Sequence, residues 1–322
     1  YHHANLAKTL GMDDEHVHIS QNGEVIELTG SAMDVAGTVP SGEVLIDGLG
    51  IGDVGNVVLR DRKHLSQDGL LIVVLAAGFS NRPRFVKCLR PIAFAAACCA
   101  ILLSERDLGA VLLYFLTTVL MYYAATSNAL LTLAGLGMGA GAAVIAYHSF
   151  EYVRDRIAIW INPWSDVENT GWQLVQSLIA IGSGGLFGMG LGLGNPQNVP
   201  LYHSDFIFAS ISEEFGLIFA VALLAVYVVI VLRGLLTAMN ARTSFHSLAA
   251  FGLVVELGLQ TMLIVGGTTK LLPLTGVTLP LVSYGGSSLV SMCFSMGLLL
   301  GISSMNAEDE ARDIDRLALS ET

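Results

Sequence analysis

Asp205 is the residue in this sequence best placed for acid–base chemistry. It follows a polar loop and stands just before a very apolar stretch at about 211–232. An ionisable group at the end of such a stretch is costly unless it is paired or has a function. Its carboxylate could act as a general base. It could equally cap the next helix, where Asp is a favoured residue, and the residues alone leave both interpretations open.

Two basic residues precede Asp205 in a long loop at about 151–206. Arg154 and Arg156 are two residues apart, and guanidinium groups favour bidentate binding of phosphate. The pair could instead mark the membrane–water interface as a stop signal. The loop therefore offers candidate phosphate ligands upstream of the carboxylate.

Three further charged residues lie near the same apolar segments. Glu213 and Glu214 follow Asp205 by a helical turn or two. We expect one of them to face a cavity and the other to be paired structurally. Lys270 is next to the end of a later apolar stretch, where it could bind a lipid phosphate or extend along the apolar surface into water.

The loop also has an unusual composition. Its three tryptophans suit the membrane–water interface, and Gln173 and Gln176 follow them. A glycine-rich run at 182–194 permits positive φ and close approach of backbone to a ligand. A tightly packed re-entrant turn explains the same glycines equally well.

No metal-ligand pattern is visible in the sequence. The four cysteines lie in or beside apolar segments without a CxxC spacing, which predicts small buried apolar side chains. Four histidines in the first twenty residues are predicted to be surface or packing residues: His2, His3, His16 and His18.

The composition points to the bilayer. Only 13% of the 322 residues are charged, 53% are hydrophobic, and the mean hydropathy is +0.64. Soluble domains carry about 25% charged residues. The net charge of −11 argues against nucleic acid as a partner, because phosphate backbones are bound by Lys and Arg.

Five or six apolar segments follow residue 90, at about 91–104, 108–125, 129–147, 211–232, 247–267 and 281–302. The first is short for a span of about 20 residues, and it could extend back over Phe85 and Val86. The basic residues Arg82, Arg84, Lys87 and Arg90 predict a cytoplasmic loop before it. Counting membrane crossings from that loop predicts that residues 151–206 lie outside the cytoplasm. The same count predicts that the loop with Arg233 and Arg242 and the acidic tail lie in the cytoplasm.

Several strings resemble the FtsW/RodA/SpoVE (SEDS) glycosyltransferases over about residues 75–303. They are 105–109 (ERDLG), 154–156 (RDR), 162–164 (NPW), 171–177 (GWQLVQS), 184–188 (GGLFG), 203–209 (HSDFIFA), 213–216 (EEFG), 272–280 (LPLTGVTLP) and 283–288 (SYGGSS). The family has about ten spans, so the resemblance implies that the first several are lacking here.

The resemblance implies a polymerase of lipid II in the bacterial cytoplasmic membrane. It implies a class B penicillin-binding protein and other divisome or elongasome membrane proteins as partners. It places Asp205 at the family's essential aspartate, and it implies substrate contacts from Arg154, Arg156, Gln176, Glu213, Glu214, Lys270 and Ser287. No cofactor follows from the motifs; a divalent cation, Mg²⁺ or Mn²⁺, on the pyrophosphate is compatible with this chemistry.

Residues 1–74 resemble a different family, the RNase J type of metallo-β-lactamase ribonuclease. The strings are 3–8 (HANLAK), 21–27 (QNGEVIE), 44–56 (VLIDGLGIGDVGN), 60–62 (RDR) and 65–69 (LSQDG). The HxHxDH string that would bind two metals is absent from the sequence, so nuclease activity is not inferred. The apolar run at 71–78, where the two resemblances meet, could be a buried strand or the end of a helix.

These observations predict an all-α polytopic membrane protein with about six apolar helices and a long extracytoplasmic loop, preceded by a small α/β N-terminal fragment. The expected divisions are 1–74, 75–303 and an acidic tail at 304–322, with both termini cytoplasmic. Two other functions stay open: a lipid II flippase or transporter, and RNA processing by the N-terminal piece. Charges gathered at an outer loop favour surface chemistry over transport.

Overall fold

A computed structural model describes residues 17–19, 25–28, 68–80, 85–167, 171–195 and 198–320 of the chain. The chain divides into two compact units, Tyr1–Lys63 and His64–Thr322. In the first unit the described residues are two strands, β1 (Val17–Ile19) and β2 (Val25–Leu28), which pair antiparallel. The other residues before 68 that resemble RNase J lie outside the described residues. So do the side chains of His2, His3, His16 and His18.

The described part of the second unit is helical. Its α-helices are α1 (Asp68–Phe79), α2 (Phe85–Ser104), α3 (Leu108–Thr126), α4 (Ala129–Ser149), α5 (Glu151–Ile161), α6 (Trp172–Gly184), α7 (Ile207–Asn240), α8 (Ser244–Thr268) and α9 (Gly286–Ser320). A short 3₁₀ helix, Pro163–Asp166, follows α5. The predicted all-α membrane fold is confirmed.

Within the described residues, five helices are long and apolar enough to cross a membrane: α3, α4, α7, α8 and the Gly286–Arg316 part of α9. The shorter apolar segment Cys88–Ser104 lies in α2, which does extend back to Phe85. The chain is therefore a multi-pass membrane protein. The acidic residues expected in a separate tail continue α9 as one helix, where Arg312 pairs with Glu308 one turn earlier.

Helix α1 lies in the centre of the bundle. Leu71, Ile72, Leu75, Ala76 and Phe79 are each at most 1% exposed and belong to its main apolar cluster. Helix α1 packs against α8, α2, α3 and α9. The apolar run at 71–78 is therefore helical, and the expected boundary at 74–75 falls inside this helix.

The helices bring polar segments together at two opposite ends. At one end, called the loop end, residues 151–206 contact residues 268–284: Ser177 Oγ donates to Thr268 O at 3.1 Å, and Tyr284 N to His203 O at 2.8 Å. At the other, called the tail end, Arg242 pairs with Asp309 and Asp313. The predicted grouping of loops on two sides of the bundle agrees with these contacts.

Candidate active site at the loop end

The backbone on the N-terminal side of Asp205 is anchored to the segment before α9. His203 O accepts from Tyr284 N at 2.8 Å, and Ser204 O accepts from Ser283 Oγ at 2.7 Å. The same Ser283 hydroxyl accepts from Leu279 N at 2.7 Å, which fixes its orientation. The turn before α7 is thus tied to a second turn, although about eighty residues separate them in sequence.

Asp205 itself is half-buried and directly precedes the N-terminus of α7. The N-cap of that helix is Phe206, and its side chain makes no capping hydrogen bond. Phe206 is completely buried. The aspartate is therefore one residue before the cap position, on a turn whose neighbours are immobilised on both sides.

Two of the predicted basic ligands lie on segments that contact each other. Arg156, half-buried on α5, donates from Nη1 to Leu274 O at 3.0 Å. Trp160, one turn further along α5, donates from Nε1 to Lys270 O at 3.1 Å. Arg154 on the same helix is exposed. These contacts place a guanidinium and an ammonium-bearing residue together at the loop end.

A break in α7 positions Glu213 and Glu214. Gly216 has φ 81° and ψ 175°, which interrupts the helical backbone. The carbonyl oxygens just before the break accept from the glycine-rich loop instead: Glu213 O from Met189 N at 2.9 Å and Glu214 O from Gly190 N at 3.0 Å. The glycine run is therefore a tightly packed turn against α7.

The two glutamate side chains have different surroundings. Glu213 is 5% exposed, its Oε1 accepts from Asn195 N at 3.1 Å, and it lines a cavity of about 160 Å³ together with Gln176. Glu214 is half-buried, and its Oε1 accepts from Gly192 N at 3.3 Å. Both carboxylates thus accept from backbone N–H groups, and of the two only Glu213 lines this cavity.

Ser287 lies in the first turn of α9, near the turn that anchors the Asp205 segment. Its Oγ is buried and has no hydrogen-bond partner among the residues the structure describes. The neighbouring Ser288 shares a hydrogen bond of 2.8 Å with Thr278, whose carbonyl accepts from Gln260 Nε2 at 2.9 Å. The SYGGSS string therefore supplies hydroxyl groups beside the candidate site.

The sequence did not predict a second cavity, of about 690 Å³. It is lined by residues of the α2–α3 and α4–α5 connections, among them Ser104, Arg106, Tyr152 and Asp155. The Arg106 guanidinium lies over the Tyr152 ring, 5.8 Å from its centroid. The ERDLG and RDR strings at 105–109 and 154–156 were the available signal.

No group of three or more His, Cys, Asp or Glu side chains at metal-binding distance occurs in the described part of the chain. The loop end instead combines a carboxylate on an anchored turn with basic residues on α5 and beyond α8. Such a set suits proton transfer next to a phosphate-bearing ligand.

The FtsW/RodA/SpoVE family model, described as cell cycle protein, matches residues 70–308. The chain belongs to the FtsW/RodA/SpoVE family.

Curated relatives and solved structures agree with this assignment. The chain is 43% identical over 203 residues to the peptidoglycan glycosyltransferase RodA of Mycobacterium tuberculosis, covering 63% of this chain and 43% of RodA. It is 39% identical over 207 residues to a probable peptidoglycan glycosyltransferase FtsW of Geobacter metallireducens, covering 64% and 55% of the two chains. This family member thus spans about half the length of the curated relatives it matches.

Two solved structures share the fold of this FtsW/RodA/SpoVE chain. One belongs to a peptidoglycan synthase complex and concerns the structural coordination of polymerization and crosslinking by that complex. Its TM-score is 0.62 at 26% identity, and the match covers 73% of this chain and 68% of that chain. The other is the rod shape determining protein RodA of Thermus thermophilus, with a TM-score of 0.50, 25% identity, and coverage of 74% and 63%.

Proposed function

We propose that this chain carries part of the active site of a peptidoglycan glycosyltransferase that polymerises lipid II into glycan strands. The names of the matched relatives support this activity. The observation that carries it is the anchored turn of Asp205 at the start of a long apolar helix, at the same end as Arg156 and Lys270. That arrangement supports a base and cations acting on the polar headgroup of a membrane lipid.

In the proposed reaction, a sugar hydroxyl of one lipid-linked disaccharide attacks the anomeric carbon of another. The new glycosidic bond forms as the bond from that carbon to the polyprenyl pyrophosphate breaks. Asp205 takes the proton from the attacking hydroxyl, and the pyrophosphate leaves with the electron pair. Arg154, Arg156 and Lys270 stabilise the charge that develops on the leaving group.

Gln176, Glu213, Glu214 and Ser287 are proposed to contact the sugars or the peptide of the substrate. A carboxylate, amides and hydroxyls provide both donors and acceptors for such groups. Among them, Gln176 and Glu213 line one cavity.

The proposed partner is an enzyme that cross-links the new strands, a class B penicillin-binding protein, with other divisome or elongasome membrane proteins around it. The similarity to a solved complex that couples polymerization and crosslinking supports this. The proposed location is the bacterial cytoplasmic membrane, with the loop end outside and both chain termini in the cytoplasm.

The test is a chimera in which the matching residues of this chain replace the 203-residue region of the Mycobacterium tuberculosis RodA. The chimera and its Asp205→Asn variant are reconstituted in lipid vesicles and supplied with lipid II, and glycan product is measured. We expect Asp205→Asn to lower the rate by about 100- to 10,000-fold, the usual contribution of a positioned base.

The matched control is Arg242→Gln, which removes a charge at the tail end, where the side chain pairs with Asp309 and Asp313. It should leave polymerisation close to that of the unmodified chimera. Near-normal polymerisation by Asp205→Asn would move the search for a base to Glu213 or Glu214. Movement of labelled lipid II across the vesicle membrane without any glycan product would favour the transporter instead.

A further inference from the structure

The carboxylate of Glu213 is buried with only one of its two oxygens hydrogen-bonded. The residue is 5% exposed, and its Oε1 accepts from Asn195 N at 3.1 Å. Its Oε2 is also buried and has no hydrogen-bond partner among the described residues. A buried charge of this kind is normally paired with a cation or bound to a metal, so the second oxygen calls for a ligand.

The cavity that Glu213 lines has the composition of a site for a hard cation. Its other polar lining residues are Gln176, Ser183, Asn195 and Asn198, which all carry side-chain oxygens. The Ser183 hydroxyl donates its proton to Ala180 O at 2.8 Å and so keeps its lone pairs available to a ligand. None of the described lining residues is Lys, Arg or His.

We propose that this cavity binds one divalent cation of the hard, oxygen-preferring class, such as Mn²⁺, Mg²⁺ or Ca²⁺, on Glu213 Oε2. A neutral hydroxyl or amide ligand would satisfy the hydrogen-bonding capacity of that oxygen but would leave its charge buried and uncompensated. A cation satisfies the oxygen and also compensates its charge. Ions of this class prefer oxygen ligands, which carboxylates, amides, hydroxyls and water supply.

The volume and the exposed rim suit an ion that keeps part of its water. Three residues that line the cavity of about 160 Å³ are exposed: Ser183, Asn195 and Asn198. Liquid water occupies about 30 Å³ per molecule, so an ion and several waters fit. A site with one carboxylate binds weakly, with Kd of roughly 0.1 to 1 mM by comparison with low-affinity calcium modules.

The cation would share Glu213 and Gln176 with the substrate contacts of the proposed function, and the test measures only ion binding and stability, without substrate. The whole chain in detergent micelles is titrated with Mn²⁺, and bound ion is followed by loss of the free-ion signal in electron paramagnetic resonance. We expect Glu213→Gln to bind one Mn²⁺ fewer per chain than the unmodified protein. Glu310→Gln is the control for binding to the acidic end of α9, because Glu310 is exposed there, and it should retain the Glu213 site.

Thermal unfolding provides the second measurement. In chelator, Glu213→Gln should unfold at the same Tm as the unmodified chain or higher, because it removes an uncompensated buried charge. Added Mn²⁺ should raise the Tm of the unmodified chain and of Glu310→Gln, but not that of Glu213→Gln. Equal Mn²⁺ binding and equal Tm shifts in Glu213→Gln and the unmodified chain would overturn the proposal. So would a lower Tm of Glu213→Gln in chelator together with unchanged Mn²⁺ binding.

A second variant keeps the proposal testable if Glu213→Gln does not fold. Gln176→Leu removes one oxygen from the cavity without touching the carboxylate, and it should weaken the binding of that Mn²⁺ several-fold. Unchanged Mn²⁺ affinity in Gln176→Leu, with Glu213→Gln unfolded, would leave Glu213 as a structural acceptor only and would reject the site.

Discussion

At the scale of single residues, two glycines decide where the Glu213 carboxylate lies. Gly216 and Gly188 approach each other closely, since a Cβ on Gly216 would lie 2.3 Å from Gly188 N. Both have positive φ, 81° and 80°. This close backbone contact frees the carbonyls of Glu213 and Glu214 for the glycine-rich loop and so directs one side chain into the cavity.

We expect Gly216→Ala to destabilise the protein. Its φ and ψ of 81° and 175° lie in a region that is essentially restricted to glycine, where another residue costs roughly 1–3 kcal/mol. The Tm in detergent, followed by circular dichroism, should fall by roughly 2–12 °C. Gly141→Ala is the matched control, because a Cβ there meets nothing within 4 Å. Equal Tm values for the two variants would contradict the role of the Gly216 backbone.

Sequence reasoning found the candidate residues but not their arrangement. It selected Asp205 and both glutamates from charge beside apolar segments, which is local information. It could not say which glutamate faces a cavity, because that depends on a contact between Gly188 and Gly216, which are distant in sequence. Nor could it pair the Asp205 turn with Ser283, which a hydrogen bond between distant segments establishes.

At the scale of elements, hydropathy predicted the membrane helices well because it is a local property of about twenty residues. The predicted segment at 108–125 is helix Leu108–Thr126, and that at 129–147 is Ala129–Ser149. The run at 71–78 was ambiguous because a stretch that is apolar on all sides has no period to separate helix from strand. Helix α6 was not predicted, because glycines at its C-terminal end resemble a loop pattern.

Helix α1 should contribute strongly to the stability of the bundle despite its length. Its 12 residues span about 18 Å at 1.5 Å per residue, too little to cross a hydrocarbon layer of about 30 Å. Ile72 is fully buried. It packs so closely on Gly252 of α8 that a Cβ added to this glycine would lie 2.8 Å from Ile72 Cγ2. We expect Ile72→Ala to cost about 2–5 kcal/mol through lost packing and the cavity it leaves.

The matched control for Ile72→Ala is Ile145→Ala on α4, because that side chain is 67% exposed. Replacing it should change the free energy of unfolding by no more than about 0.5 kcal/mol. Both variants are compared by thermal unfolding in the same detergent. If Ile145→Ala lowered the Tm as much as Ile72→Ala, α1 would not be a central element of the fold.

At the scale of the whole molecule, the two ends of the bundle carry different numbers of basic residues. Helix α2 ends at Ser104, which lines the 690 Å³ cavity with Ser149 and Glu151 at the loop end, so its N-terminus lies at the tail end. Among the described residues, six basic residues lie on the helices or connections of the tail end and four on those of the loop end. The first set is Lys87, Arg90, Arg233, Arg242, Arg312 and Arg316, and the second is Arg106, Arg154, Arg156 and Lys270.

This asymmetry predicts that the tail end is cytoplasmic, because Lys and Arg are retained on that side while Asp and Glu contribute little to orientation. The acidic residues of α9 therefore do not oppose it. The measurement uses single cysteines in a chain whose four native cysteines are replaced by serine. Leu191→Cys reports the loop end and Met239→Cys the tail end, and these two side chains are similarly exposed, at 75% and 78%.

A membrane-impermeant maleimide should label Leu191→Cys in intact spheroplasts and Met239→Cys only after the membrane is permeabilised. The two exposures are matched, so a difference in labelling reports the side of the membrane and not burial within the protein. Tyr1→Cys in the same background tests the prediction that the N-terminal segment is cytoplasmic, and it should behave like Met239→Cys. Labelling of Met239→Cys in intact spheroplasts, with Leu191→Cys protected, would invert the bundle. It would also place Asp205, Arg156 and Lys270 on the cytoplasmic side, where polymerisation at the outer face could not use them.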